Sequence, residues 1–227
     1  MEKYKNTIHC MDSLDFMKTL PDNCVDLVLI DPPYWMSFLS ERRKETTKHK
    51  AIENDDNLDW LEDYIKEIVR ILKNEWHSYI FCSMHYIDVF VQTIKKYLPY
   101  KNILIWEKNN TWMGDLEWDF APKYEFCIFC SNWQKKLNWK RDANIMKWSK
   151  TWNELHPTQK PAEMFVYLIE KSTKPWDIVL DCFAWSFTTA VACIETWRNY
   201  ICIEKEKKYY EIGEKRIKNT NSPLFIN

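Results

Sequence analysis

Short apolar runs alternate with longer stretches of helical period along most of this chain. Runs near 7–10, 25–30, 78–83, 102–107, 124–130, 178–181 and 199–203 have strand length and predict seven short strands. Helical spacing near 13–19, 60–73, 86–97, 162–172, 188–195 and 206–218 predicts helices between them. Such alternation calls for an α/β fold with a mostly parallel sheet covered by helices on both faces. Two stretches interrupt it. Residues 35–58 are polar and charged, and residues 108–155 are rich in turn formers, lysine and asparagine around one apolar strand. Structureless loops this long in a compact domain are usually functional or disordered. We therefore expect a mobile loop at 35–58 and an inserted segment at 108–155.

At 227 residues the chain suits one domain, 1–227, with a full core. Its formal net charge of −1 gives no global field for nucleic acid, although basic residues cluster within 42–50 and 135–150. Eight scattered cysteines fit buried thiols of a reduced, cytoplasmic protein. Cys127 and Cys130 have CxxC spacing but sit inside an apolar run with no second pair nearby, so no metal site is expected there. No apolar stretch approaches the ~20 residues that span a bilayer, so no membrane partner is expected.

The first chemistry-bearing element is Asp31-Pro32-Pro33-Tyr34, directly after the apolar run 25–30. It falls at a strand's carboxyl end, where open α/β sheets place their ligands. Proline lacks an N–H and holds the residue before it extended. Asp31 and the Pro32 carbonyl thus form a rigid pair of acceptors, and Tyr34 adds a flat apolar face. That combination suits a planar base with an exocyclic NH2. A second element is Ile178-Val179-Leu180-Asp181-Cys182-Phe183-Ala184-Trp185-Ser186-Phe187-Thr188-Thr189. It reads as a strand ending in an acid, a tight turn, and a helix that starts on hydroxyl residues. Nucleotide-like cofactors approach such turns closely, and glycine is expected at the bend. Glu204 ends the next strand about 20 residues on, where a carboxylate can take ribose hydroxyls.

Composition adds an anomaly at that bend. Only 2 glycines accompany 13 tryptophans, whereas usage of roughly 7% would give about sixteen glycines. Several tryptophans stand where the backbone wants glycine. Trp133 and Trp139 each follow an asparagine in a turn slot, Trp176 follows Pro175 just before a strand, and Trp76 and Trp197 follow helical patterns at C-cap positions. We expect Trp35, Trp76, Trp112, Trp118, Trp133, Trp139, Trp152, Trp176, Trp185 and Trp197 to be glycine in the living protein, through UGA codons read there as glycine. Trp60, Trp106 and Trp148 remain as true indoles.

The motifs together resemble the amino-methylating DNA methyltransferases. Asp31–Tyr34 resembles their catalytic tetrapeptide. Phe183–Thr189 is similar to their Phe-x-Gly-Ser-Gly-Thr-Thr turn if Trp185 is glycine, with Phe187 departing from the second glycine and Cys182 standing where proline is usual. His156-Pro157-Thr158-Gln159-Lys160-Pro161 matches a further element, and Asp12 in Met11-Asp12-Ser13-Leu14 resembles the acid that opens these enzymes. The resemblance covers about residues 6–217, and its order, catalytic motif before cofactor motif, is like the β-type permutation. It implies a Rossmann-like, seven-stranded fold and methyl transfer from S-adenosyl-L-methionine to a base flipped out of double-stranded DNA. The base is most simply adenine N6, with N4 of cytosine as the alternative. An inactive DNA-binding homologue is the reading if Trp185 is literal.

By the same resemblance Asp12 would reach the cofactor's adenine and Glu204 its ribose. Asp181, Phe183, Ala184, Trp185, Ser186 and Thr188 would line the methionine part, joined by Thr158 and Lys160. Residues 108–155 would read the target sequence, and 35–58 would contact DNA. Similar enzymes often dimerise and often accompany a restriction enzyme in bacteria or phages, so both are candidate partners. His9, His49, His77 and His85 carry no partner pattern and are expected to be structural or at the surface.

Overall fold

The computed structural model describes residues 1–33, 59–109, 118, 120–132, 134–149 and 160–220. Among the described residues, eight strands form one sheet: β1 (Thr7–Cys10), β2 (Val25–Ile30), β3 (Leu72–Cys82), β4 (Tyr100–Glu107), β5 (Tyr124–Ser131), β6 (Ile145–Lys147), β7 (Ile178–Asp181) and β8 (Asn199–Glu204). Six α-helices accompany them: α1 (Ser13–Met17), α2 (Asp59–Ile71), α3 (Ile87–Lys95), α4 (Ala162–Ser172), α5 (Thr188–Glu195) and α6 (Lys207–Asn219). The strand order is β1-β8-β7-β2-β3-β5-β4-β6. Neighbours are parallel from β1 through β3, β5 runs antiparallel to β3 and β4, and β6 is parallel to β4.

The side-chain period of two sorts each central strand onto two cores. In β2, Val28 and Ile30 join the core beneath α1–α3, whereas Leu27 and Leu29 join the one beneath α4–α6. Both faces are covered, so β2 is buried along its whole length. The same alternation puts Cys130 in the first core and Cys127 in the second. A CxxC pair on a strand therefore diverges to opposite faces, and burial pushes the Cys130 thiol up to about 12.

Two sequence expectations change. The sheet has eight strands rather than seven, because Ile145–Lys147 pairs with β4; three residues among polar neighbours leave no readable period. β3 begins at Leu72, directly after α2, and its pairing with β2 shifts between Val25 and Leu27. Trp76 consequently lies inside β3 with its ring in the core, and it is not a helix cap. The apolar strand inside 108–155 is β5, which sits between β3 and β4 in the body of the sheet. The loop 35–58 lies outside the described residues. No helix among the described residues is long and apolar enough to cross a membrane.

Candidate active site

Parallel pairing of β1, β8, β7 and β2 brings their carboxyl ends to one rim. Val28 pairs with Leu180, Asp181 with Cys202, and Cys10 with Glu204. Asp31, Asp181, Glu204 and Asp12 therefore emerge along one edge of the sheet, each at or just past a strand end. Because β5 is antiparallel to β3, its first residues reach the same rim, with Phe126 opposite Cys82. The end of β4 follows, since Glu107 faces Tyr124.

Asp31 is buried, and its carboxylate accepts a 2.6 Å hydrogen bond from Lys160 Nζ. Lys160 is also 3.0 Å from Glu125 Oε2, while Glu125 Oε1 lies 2.5 Å from Lys108 Nζ. The result is a chain of alternating sign, Lys108, Glu125, Lys160, Asp31, in which Glu125 is half-buried and the other three are buried. Burial opposes the charge on Lys160, but Asp31 and Glu125 outweigh it and raise its pKa. Burial likewise opposes ionisation of Glu125, and Lys160 and Lys108 outweigh that to lower its pKa. Asp31 thus faces a buried cation, and the two form a charge-assisted hydrogen bond.

Lys160, expected among the cofactor contacts, sits against the tetrapeptide's acid. Glu125 and Lys108 escaped the sequence reading. The available signal was a lone charge at the end of each apolar strand, next to the rim.

The turn after β7 is tied down from below. Asp181 accepts from the Phe183 N–H at 3.0 Å and from the Thr189 hydroxyl, and burial raises its pKa to about 7. Arg216 on α6 donates to the Ser186 carbonyl at 3.0 Å and to the Thr188 hydroxyl at 2.9 Å. Ser186 and Thr188 are both buried there. Phe183 stacks on Tyr64 with centroids 5.0 Å apart, and the Ala184 N–H donates to Ile203. Glu204 accepts from the backbone N–H of Trp185 at 2.8 Å and of Glu206 at 2.8 Å, and burial raises its pKa to about 7. Asp12 caps α1 through Leu14 N at 3.0 Å and lies 3.5 Å from Lys205. Pro32 and Pro33 follow Asp31 at the same edge, whereas Tyr34 and Thr158 lie outside the described residues.

Phe187, which stands in a glycine slot, has φ 57 and is fully buried. Its ring fits because α6 presents Gly213 there: a Cβ on Gly213 would lie 1.7 Å from the Phe187 ring. One of the two glycines in the chain thus accommodates this phenylalanine.

Trp185 joins the two halves of the rim. Its backbone is left-handed (φ 47), and its indole Nε1 donates to the Asp31 carbonyl at 2.9 Å. The ring therefore spans the gap between the β7–α5 turn and the tetrapeptide, with Tyr209 at 5.7 Å on its edge.

A family model described as DNA methylase matches residues 25–215. The chain belongs to the DNA methylase family. It is 27% identical to the DNA adenine methyltransferase YhdJ of Escherichia coli (strain K12), over 94% of this chain and 82% of that protein. The crystal structure of the M1.HpyAVI–SAM complex superposes with a TM-score of 0.70 at 26% identity, covering 92% of this chain and 98% of that one. PvuII DNA methyltransferase, cytosine-N4-specific, shares the fold at a TM-score of 0.78 and 17% identity, over 96% and 88% of the two chains.

The family's methyl donor is S-adenosylmethionine, and the residues fit it at one end only. Asp12 and Glu204 on neighbouring strand ends offer carboxylates suited to its adenosine. Beyond the turn, the Trp185 indole reaches across to the Asp31 carbonyl at 2.9 Å, on the side where a methionine chain would continue.

Proposed function

We propose that this methylase, with glycine at 185, methylates the exocyclic amine of a base flipped out of DNA, and that the base is adenine. The observation that carries the reading is the placement of Asp31: a carboxylate locked by Lys160, one indole's width from the β7–α5 turn whose Trp185 N–H donates to Glu204. An exocyclic amine is a poor nucleophile because its lone pair is delocalised into the ring. Asp31 and the Pro32 carbonyl take its two hydrogens, which favours a pyramidal nitrogen and directs the lone pair out of the ring plane. This is positioning and electrostatics without covalent catalysis. The base must leave the duplex to reach the rim, and Tyr34 is assigned to stack on it. S-adenosylmethionine supplies an electrophilic methyl group. The basic stretches within 42–50 and 135–150 serve the phosphates, and residues 108–155 read sequence.

Adenine is favoured by aspartate at the first motif position and by the likeness to an adenine enzyme. The test is nucleoside analysis of DNA from cells expressing the Trp185→Gly protein. N6-methyladenine is expected; N4-methylcytosine alone would move the assignment to cytosine. Asp31→Ala in the same background should abolish the product while donor binding persists. Loss of both together would make Asp31 a structural residue and refute its role. One observation favours a second reading for the chain as written: the indole in the gap makes that form an inactive homologue.

A further inference from the structure

We infer that Trp139, Trp176, Trp185 and Trp197 occupy positions held by glycine in the working protein, and that the glycine at 185 is what opens the donor cleft. Among the described residues, those other than glycine with positive φ are Asn6, Asn23, Trp139, Trp176, Trp185, Phe187 and Trp197. Asparagine visits this region readily, but a bulky residue there is an outlier. Four tryptophans are in it. None of the three tryptophans expected to be true indoles, Trp60, Trp106 and Trp148, is among them. Trp76 and Trp118 have ordinary backbones, so the conformational argument is confined to the four.

The local geometry names the missing residue at two of these sites. At Lys174-Pro175-Trp176-Asp177, the Asp177 N–H returns to the Lys174 carbonyl at 3.2 Å, with proline second and φ 73 third. That is a type II turn, whose third position calls for glycine. After α5, the Arg198 N–H bonds the Cys193 carbonyl at 2.9 Å and the Trp197 N–H the Ile194 carbonyl at 3.4 Å, with Trp197 at φ 61. Those two bonds define a Schellman ending, whose left-handed residue is usually glycine.

Packing offsets this only at the surface: the Trp176 and Trp197 rings meet edge to face at 6.0 Å, and Lys171 Nζ lies 5.2 Å over the Trp139 ring. Trp139, Trp176 and Trp197 are 57%, 60% and 40% exposed. Trp106, by contrast, is 1% exposed and its Nε1 donates to the Trp148 carbonyl at 2.9 Å. A single cause covers all four positions: a UGA codon decoded as glycine in the source cell and written as tryptophan under another code. At 185 the consequence is functional, because the side chain removed is the one that bridges to Asp31.

The backbone part of this inference is independent of the methylation reading; the opening of the cleft rests on it. The gene should carry UGA at codons 139, 176, 185 and 197 and UGG at 60, 106 and 148. UGG at 185 or 197 would overturn the inference. At the protein level, Trp176→Gly and Trp197→Gly should each raise the thermal midpoint by about 2–4 °C, the relief of a left-handed residue less the extra chain entropy of glycine. Trp106→Gly, the control, should lower it. A fall in the midpoint for both turn variants overturns the inference. Calorimetric titration with S-adenosylmethionine should give saturable heat with Trp185→Gly and none with tryptophan. If the midpoints rise and the codons agree but Trp185→Gly binds no donor, the glycine assignment stands and the cleft at 185 is refuted.

Discussion

Replacing Lys160 by methionine tests the charge chain most directly. The substitution keeps the length of the side chain and removes an ammonium 2.6 Å from Asp31 and 3.0 Å from Glu125. Two carboxylates would then stand within about 6 Å of each other, a separation at which like charges disfavour joint ionisation. Removing one member of a buried ion pair typically costs about 3–5 kcal/mol, a large part of the 5–15 kcal/mol that holds a domain together. The sign with pH follows. Without Lys160 only Lys108 opposes the burial of Glu125, so its folded-state pKa rises and the fold holds a proton to higher pH than the parent does. Stability is then retained at low pH and lost as pH rises toward neutrality. Urea denaturation of parent and Lys160→Met at pH 5 and pH 8 measures this. We expect a deficit of about 3–5 kcal/mol at pH 8 that shrinks clearly at pH 5. A deficit below about 1 kcal/mol, or one equal at both pH values, would refute the coupling.

Two further predictions concern the turn and its surroundings. Gly213→Ala should destabilise by about 1–3 kcal/mol, because its Cβ meets the Phe187 ring at 1.7 Å; in a Phe187→Gly background the same substitution should cost little, and equal costs in the two backgrounds would count against the pairing. Burial raises the pKa of both Asp181 and Glu204 to about 7, so their contribution to stability is full below the ordinary carboxylate range and is lost as pH climbs through 7. His77, buried and lowered to about 4, acts oppositely: the fold loses stability as pH falls from 6.5 toward 4. Denaturation midpoints should therefore decline from pH 6 to pH 8, less steeply in Asp181→Asn, and a flat profile in the parent would contradict the burial of these groups.

Local chemistry made much of this molecule legible. An apolar run followed by Asp31-Pro32-Pro33, or by Asp181 and a tight turn, marks a strand end without reference to the rest of the chain. The left-handed sites at 176 and 197 were legible for the same reason, since a turn or helix ending is set by a few neighbouring residues. For His77 no local pattern separates a structural from a surface role, and it lies buried with Nδ1 2.9 Å from the Ser172 hydroxyl. The central strands and the helices between them followed from period alone, because each needs only one face, or two, covered by apolar partners.

What the tertiary structure decided is which distant residues share the rim. Glu125 reaches Lys160 only because β5 returns antiparallel beside β3 and delivers its first residues to the same edge as Asp31. Phe187 is tolerable in a left-handed slot only because α6, some 25 residues later, sets Gly213 against its ring. β6 exists only because β4 offers an edge to a three-residue segment that has no period of its own. Sequence fixes backbone preference and the chemical kind of each side chain, which act over one turn or one strand. Charge pairing and steric allowance act through space, so they depend on strand order and helix placement that no local pattern contains.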